Sequence, residues 1–168
     1  MAVNLEHHLA VRRALDEVSE TLVEMAQKAI DETRPDRGLK ASQLSNLITV
    51  AGETSSILVI TNFLRYQMGR QGGQVWRGLG DRVISDLEKL PAKADAFLQD
   101  LPEEERRHFP IRLARQYLGF LRRYYMWWSK QQQAEGGPHQ GRPDPGRSGR
   151  PAPPAQPRAE GGPRRDRR

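Results

Sequence analysis

The sequence predicts an all-α protein: a single five- or six-helix bundle with a disordered C-terminal tail. Three observations predict it. Apolar residues recur at steps of three and four through most of the first 133 residues. Prolines and glycines punctuate that pattern at Arg34-Pro35, Gly69 to Gly73, Pro91 and Pro110. After Gln133 the composition changes abruptly, to 8 Pro and 7 Gly with no large apolar residue.

The first helix spans Leu5 to about Asp31. Val11, Leu15, Val18, Leu22, Met25 and Ala29 form a one-sided stripe along it. Pro35 ends it, because proline disfavours helix in the residue before it. The link from Thr33 to Gly38 is short and polar. A second helix begins near Ser42 as N-cap and turns Leu44, Leu47, Ile48 and Ala51 inward, with Gly52 ending or bending it. A third runs from Thr54-Ser55 to Met68. It is apolar on most sides (Ile57, Leu58, Val59, Ile60, Phe63, Leu64), which predicts the centre of the bundle. Its β-branched run has no partner strand elsewhere, so helix is the consistent reading.

Gly69 to Gly73 is a loop with three glycines. Val75 to Leu90 is a fourth helix with Leu79, Val83, Ile84, Leu87 and Leu90 inward, stopped by Pro91. Ala92 to Phe97 forms a short helical turn. Asp100 caps another segment, where Pro102 and Glu103 to Glu105 complement a helix start. Pro110 opens the last helix, Ile111 to about Gln132.

This last helix has two faces. Leu113, Tyr117, Phe120, Tyr124 and Trp127 share one stripe; Arg112, Arg115, Arg122, Arg123 and Lys130 lie roughly opposite. No acid occurs from Pro110 to Gln133, whereas a merely solvated face mixes signs. Gly119 interrupts the basic row, and close approach of another backbone would explain it. Tyr124, Tyr125, Trp127 and Trp128 are too crowded for one side to bury them all. Some pack on another element, a partner chain or bases.

The formal charge is +6, carried by 22 Arg and 5 Lys against 21 acids. Arginine is the better fork for phosphate, although a GC-rich genome also raises its share. Residues 134–168 hold 8 Arg against 4 acids, so the helical domain, 1–133, carries only +2. The tail cannot bury enough surface to offset chain entropy. It either adds non-specific attraction to nucleic acid or merely solubilises.

The chain has no cysteine, hence no disulfide or thiolate metal site. No apolar run is long enough for a membrane span. The N-terminal segment has charges inside its apolar pattern, so no signal peptide is read and a cytoplasmic location is expected. No catalytic constellation is visible. His7 and His8 point to different sides of a helix, and His108 has no spaced partner for a metal. No phosphate-binding glycine loop or nucleophile elbow occurs. The expectation is a protein that is not an enzyme, without metal or cofactor.

Phe63 to Arg70, FLRYQMGR, sets two arginines and a glutamine at the end of a packed helix. A surface that grips a phosphate backbone needs that arrangement; a solvated one does not.

Three stretches resemble the small, all-helical subunit of the type III CRISPR effector complex, closest to its Csm form. They are Lys40 to Leu47 (KASQLSNL), the YQMGR helix end, and the terminal helix Arg115 to Lys130. Together they cover about half of the helical domain, in the family's order. The resemblance implies a non-catalytic subunit that self-associates along the complex beside other subunits. It would contact the guide and target RNA backbone in antiviral defence and leave sequence reading to base pairing. Carried onto this chain, the RNA contacts are Lys40, Ser42, Gln43, Asn46, Arg65, Gln67 and Arg70. The last helix adds Arg112, Arg115 and Arg122 from its basic row. Ser45 departs from the pattern, which has a basic residue there; Arg77 and Arg82 are candidates to compensate. Two other readings stay open. One is a helical adaptor docking a protein through the aromatic last helix. The other is a DNA-binding regulator using the second and third helices, against which stands the third helix's shortage of polar groups.

Overall fold

The structure is a computed structural model and describes residues 2–135. Helices α1 (Ala2–Thr33), α2 (Ala41–Glu53), α3 (Ile57–Gly69), α4 (Leu79–Leu98), α5 (Glu103–Arg106) and α6 (Phe109–Glu135) are joined by short links. A 3-10 turn, Gly73–Trp76, lies between α3 and α4. No strand occurs among the described residues, so the all-α class holds. None of these helices is long and apolar enough to cross a membrane. The tail expected beyond Gln133 lies, from residue 136 on, outside the described residues; Ala134 and Glu135 still belong to α6.

The stripe on α1 is the one the spacing predicts. Val11, Val18, Leu22 and Ala29 are buried, and Ala14, Ala26 and Ile30 widen the face. The helix ends at Arg34, whose φ of 45° is left-handed. The Arg34 N–H still donates to the Ile30 carbonyl at 2.9 Å. Pro35 then prevents continuation.

Four local expectations are corrected. The N-cap of α2 is Lys40, not Ser42. Gln43 decides this: its side-chain Oε1 accepts the Lys40 N–H at 2.8 Å, satisfying a donor at the helix start. Next, α3 is not the centre of the bundle. It buries Ile60, Thr61 and Leu64 but leaves Leu58 72% and Val59 48% exposed. Its apolar residues outnumber the neighbours available to cover them. Val75 belongs to the 3-10 turn rather than to α4. Finally, Pro91 does not stop α4, which runs on to Leu98. Leu87, Leu90 and Ala94 are buried on both sides of it, and the proline itself is exposed. Packing thus offsets the missing N–H and ring crowding, a cost of about 3 kcal/mol.

The central element is α6, which packs on α1, α2 and α4. Its buried face is Leu113, Ala114, Tyr117, Leu118, Leu121 and Tyr125. That face is rotated from the expected aromatic stripe, and Trp127 ends up 54% exposed. Three contacts give α6 its direction against α2. Tyr125 bonds the Leu39 carbonyl, Arg122 bonds Ser45, and Arg115 bonds the Ala51 carbonyl. Residue numbers rise on one element as they fall on the other, so the two helices are antiparallel. Each fully buried Leu or Phe in this core contributes about 1.5–3 kcal/mol.

Gly119 has no backbone against it. A β-carbon there would meet only Nη2 of Arg123, at 3.7 Å. Gly119→Ala is therefore expected to stabilise the isolated chain by about 0.5–1 kcal/mol, through backbone entropy. A thermal melt checks this; an unchanged or lower midpoint means the glycine has a role in the isolated fold.

Candidate nucleic-acid interface

The ten residues expected to face RNA divide into two groups. Four arginines are engaged within the chain. Arg65 Nη2 donates to Glu88 Oε1 on α4 at 2.9 Å. Arg112 Nη2 donates to Glu105 Oε2 at 2.6 Å, tying α6 to α5. Arg115 donates to three carbonyls at the end of α2: Ala51 at 2.8 Å, Gly52 at 3.3 Å and Thr54 at 3.1 Å. It sets a cation against the negative end of that helix and satisfies orphan acceptors there. Arg122 Nε donates to Ser45 Oγ at 2.8 Å. These bonds come from helices packing side by side, which a one-dimensional pattern cannot show.

Of the rest, Lys40, Ser42 and Asn46 lie exposed on the outward side of α2. Gln43 and Gln67 are half-buried, Gln43 with its oxygen committed to the helix start. Arg70 is exposed just past the end of α3. With Arg77, Gln74 and Asp81 it lines a shallow cavity of about 240 Å³. Arg82, one of the candidates to compensate for Ser45, is bonded to Asp86 and Glu32. The guanidinium nearest Ser45 belongs instead to Arg122.

The first two motifs are neighbours in space. A β-carbon at Gly38 would lie 3.1 Å from Cγ1 of Val75, so the link before α2 packs on the 3-10 turn after α3. The far end of α6 meets the start of the first of them. A groove of about 620 Å³ runs between the α1–α2 link and the last turns of α6. Arg37, Lys40 and Lys130 supply its charge, and Tyr125, Met126 and Trp128 its apolar wall. None of these three cations makes an ion pair among the described residues. The Tyr125 hydroxyl holds the link to α6 through the Leu39 carbonyl. Burial, then the nearby charge of Asp36, pushes its pKa above the ordinary tyrosine value.

A second cavity, about 600 Å³, shares Arg37, Trp128 and Gln132 with this groove. It also contains Asp31, Arg34 and Asp36. Asp31 accepts from the Tyr124 hydroxyl at 3.0 Å. Trp128 therefore borders two surfaces, one cationic and one of mixed sign.

Arg37 was not among the expected contacts, and Trp128 was read only as one of four crowded aromatics that pack on protein or on bases. Arg37 sits in a link that reads only as a polar connector. Lys130 was legible as part of a basic row, but nothing linear sets it beside Lys40. An aromatic pair next to a lysine near a helix end was the only available signal.

No family model matches this chain, and no curated protein or solved structure matches it significantly.

Proposed function

We propose that this chain is a non-catalytic, RNA-binding subunit of a cytoplasmic type III CRISPR effector complex. It lies along the guide and target RNA beside other subunits and copies of itself, in antiviral defence. The observation that carries the RNA-binding reading is the grouping of Arg37, Lys40 and Lys130 at one end of the bundle, next to an exposed polar side of α2. Charges without internal partners are available to phosphates; internally bonded ones are much less so. Arg122 supports the family reading. It carries a guanidinium to Ser45, the position where the family pattern has a basic residue. The assignment to the complex itself rests on the resemblance of the three motifs.

Binding is expected to be blind to sequence and steep in salt. Each single-strand phosphate contact removes about 0.7 from log K per unit of log salt. Replacing Lys40 and Arg70 by alanine should flatten that slope in a filter-binding titration of the full chain. Arg115→Ala should change stability more than slope, because that guanidinium caps α2. An unaltered slope in the double variant overturns the assignment of those contacts. A tagged chain recovered from its own cells should bring along a short guide RNA and larger subunits; recovery without RNA sinks the proposal.

The adaptor reading retains one specific observation. Leu58, Val59 and Tyr66 on α3, and Trp127 on α6, are large and exposed. Under it, Trp127→Ala abolishes association with a protein partner while RNA binding is absent throughout.

A further inference from the structure

We propose that the groove between the α1–α2 link and the end of α6 holds one unpaired nucleotide, its base on Trp128 and its phosphates against Arg37, Lys40 and Lys130. This rests on the RNA-binding reading and adds to it a stacking site for a single base.

The volume fits. At about 620 Å³ the groove lies within the range of about 300–1,000 Å³ typical of small-ligand sites. Its chemistry has the two parts a nucleotide needs. Trp128 is half-exposed and lies nearly parallel to Tyr125, at 29° with ring centroids 6.1 Å apart. Tyr125 is itself buried and anchored to the Leu39 carbonyl, so the indole has a fixed neighbour behind it. Around this wall stand three cations, and no carboxylate is among the described residues lining the groove. The acids of this region, Asp31 and Asp36, line the other cavity. A phosphate is thus favoured on the cationic side of Trp128 over the other side, where Asp31 and Asp36 offset Arg34 and Arg37.

The same combination argues against a base-paired nucleotide in this groove. A base inside a helix is already stacked above and below and cannot also use Trp128. Single-stranded nucleic acid combines backbone charge with stacking on an aromatic side chain, and such stacking tolerates any base. A surface that met only the outside of a duplex would have no use for an indole in a cationic groove.

The test compares a ten-nucleotide oligouridylate with an RNA duplex of similar charge, both titrated into the full chain. Trp128→Leu is expected to weaken oligouridylate binding about tenfold while leaving duplex binding and the salt slope unchanged. Salt-dependent RNA binding that is indifferent to Trp128→Leu, or weakened equally for both RNAs, overturns the stacking site and leaves the proposed function standing. No binding of either RNA by the unaltered chain overturns both. Because Trp128 also packs against the core, a second measurement avoids its removal. In Trp127→Phe the remaining indoles are Trp128 and the fully buried Trp76. Saturating oligouridylate should quench the emission of Trp128; saturation without quenching counts against the proposal. Oligoglutamate of equal charge should compete poorly, and equal competition would reduce the groove to a non-specific cationic patch.

Discussion

Asp86→Ala is expected to destabilise the chain by about 3–5 kcal/mol, the range for removing one member of a buried ionic network. Asp86 is only 2% exposed. Arg82 Nε donates to both its oxygens, at 3.0 and 3.1 Å, and the Tyr117 hydroxyl donates at 2.9 Å. The other end of Arg82 meets Glu32 on α1. One carboxylate therefore ties α1, α4 and α6 together. Its loss leaves the Tyr117 hydroxyl buried without an acceptor, which alone costs about 1–3 kcal/mol. Urea denaturation would measure the loss, and a value below about 1 kcal/mol would mean that the network adds little.

The same network gives an alkaline limit. Burial, then the charge of Asp86, raises the Tyr117 pKa well above its ordinary value. The folded state therefore favours the neutral phenol. The unfolded chain loses that proton near pH 10, so the contribution is complete below pH 10. It is lost as pH rises above that value toward the folded pKa. The slope reaches about 1.4 kcal/mol per pH unit for one tyrosine. Tyr124 and Tyr125 shift in the same direction. Tyr117→Phe should be less steep in stability between pH 10 and 11 than the unaltered chain. An identical slope would remove Tyr117 from the account.

Gly73→Ala should be nearly as damaging, at about 3 kcal/mol, the upper end of ordinary overpacking. A β-carbon there would lie 2.3 Å from the Met68 carbonyl oxygen and 2.4 Å from that of Gln67. Both are backbone atoms at the end of α3, so no side chain can swing away. The Gly73 N–H also donates to the Arg70 carbonyl at 2.8 Å. The chain thus reverses tightly against the end of α3. That reversal sets Val75 under the Gly38 link and places Arg70 beside Arg77. A lowered melting point together with weaker RNA binding is the expected pair of results. Gly69 sits in the same sequence cluster with open space where its β-carbon would be, so Gly69→Ala is the control that should fold normally.

The helices were legible where apolar period and punctuation agreed. The stripe from Val11 to Ala29 and the inward set Leu79 to Leu90 read correctly from spacing, as did the existence of the closing helix, though not its buried face. Errors fell where a local rule met tertiary packing. Pro91 obeys the helix-breaking rule in isolation, but the buried row through Leu87, Leu90 and Ala94 carries α4 past it. The run from Ile57 to Leu64 reads as a core helix from hydrophobicity alone. Whether it is covered depends on how many helices surround it, and α6 took the centre instead.

For the candidate interface, the sequence by itself determined which cations exist and on which helical side several of them lie. Tertiary structure decided which of those are available. Arg65, Arg112, Arg115 and Arg122 look alike in a pattern, yet each has a partner 7 to 77 residues away in the chain. Lys40 and Lys130 share a groove although 90 positions separate them. The physical reason is one of range. Helical period and capping act within a few residues, whereas ion pairing and groove formation depend on contacts made only once the helices pack.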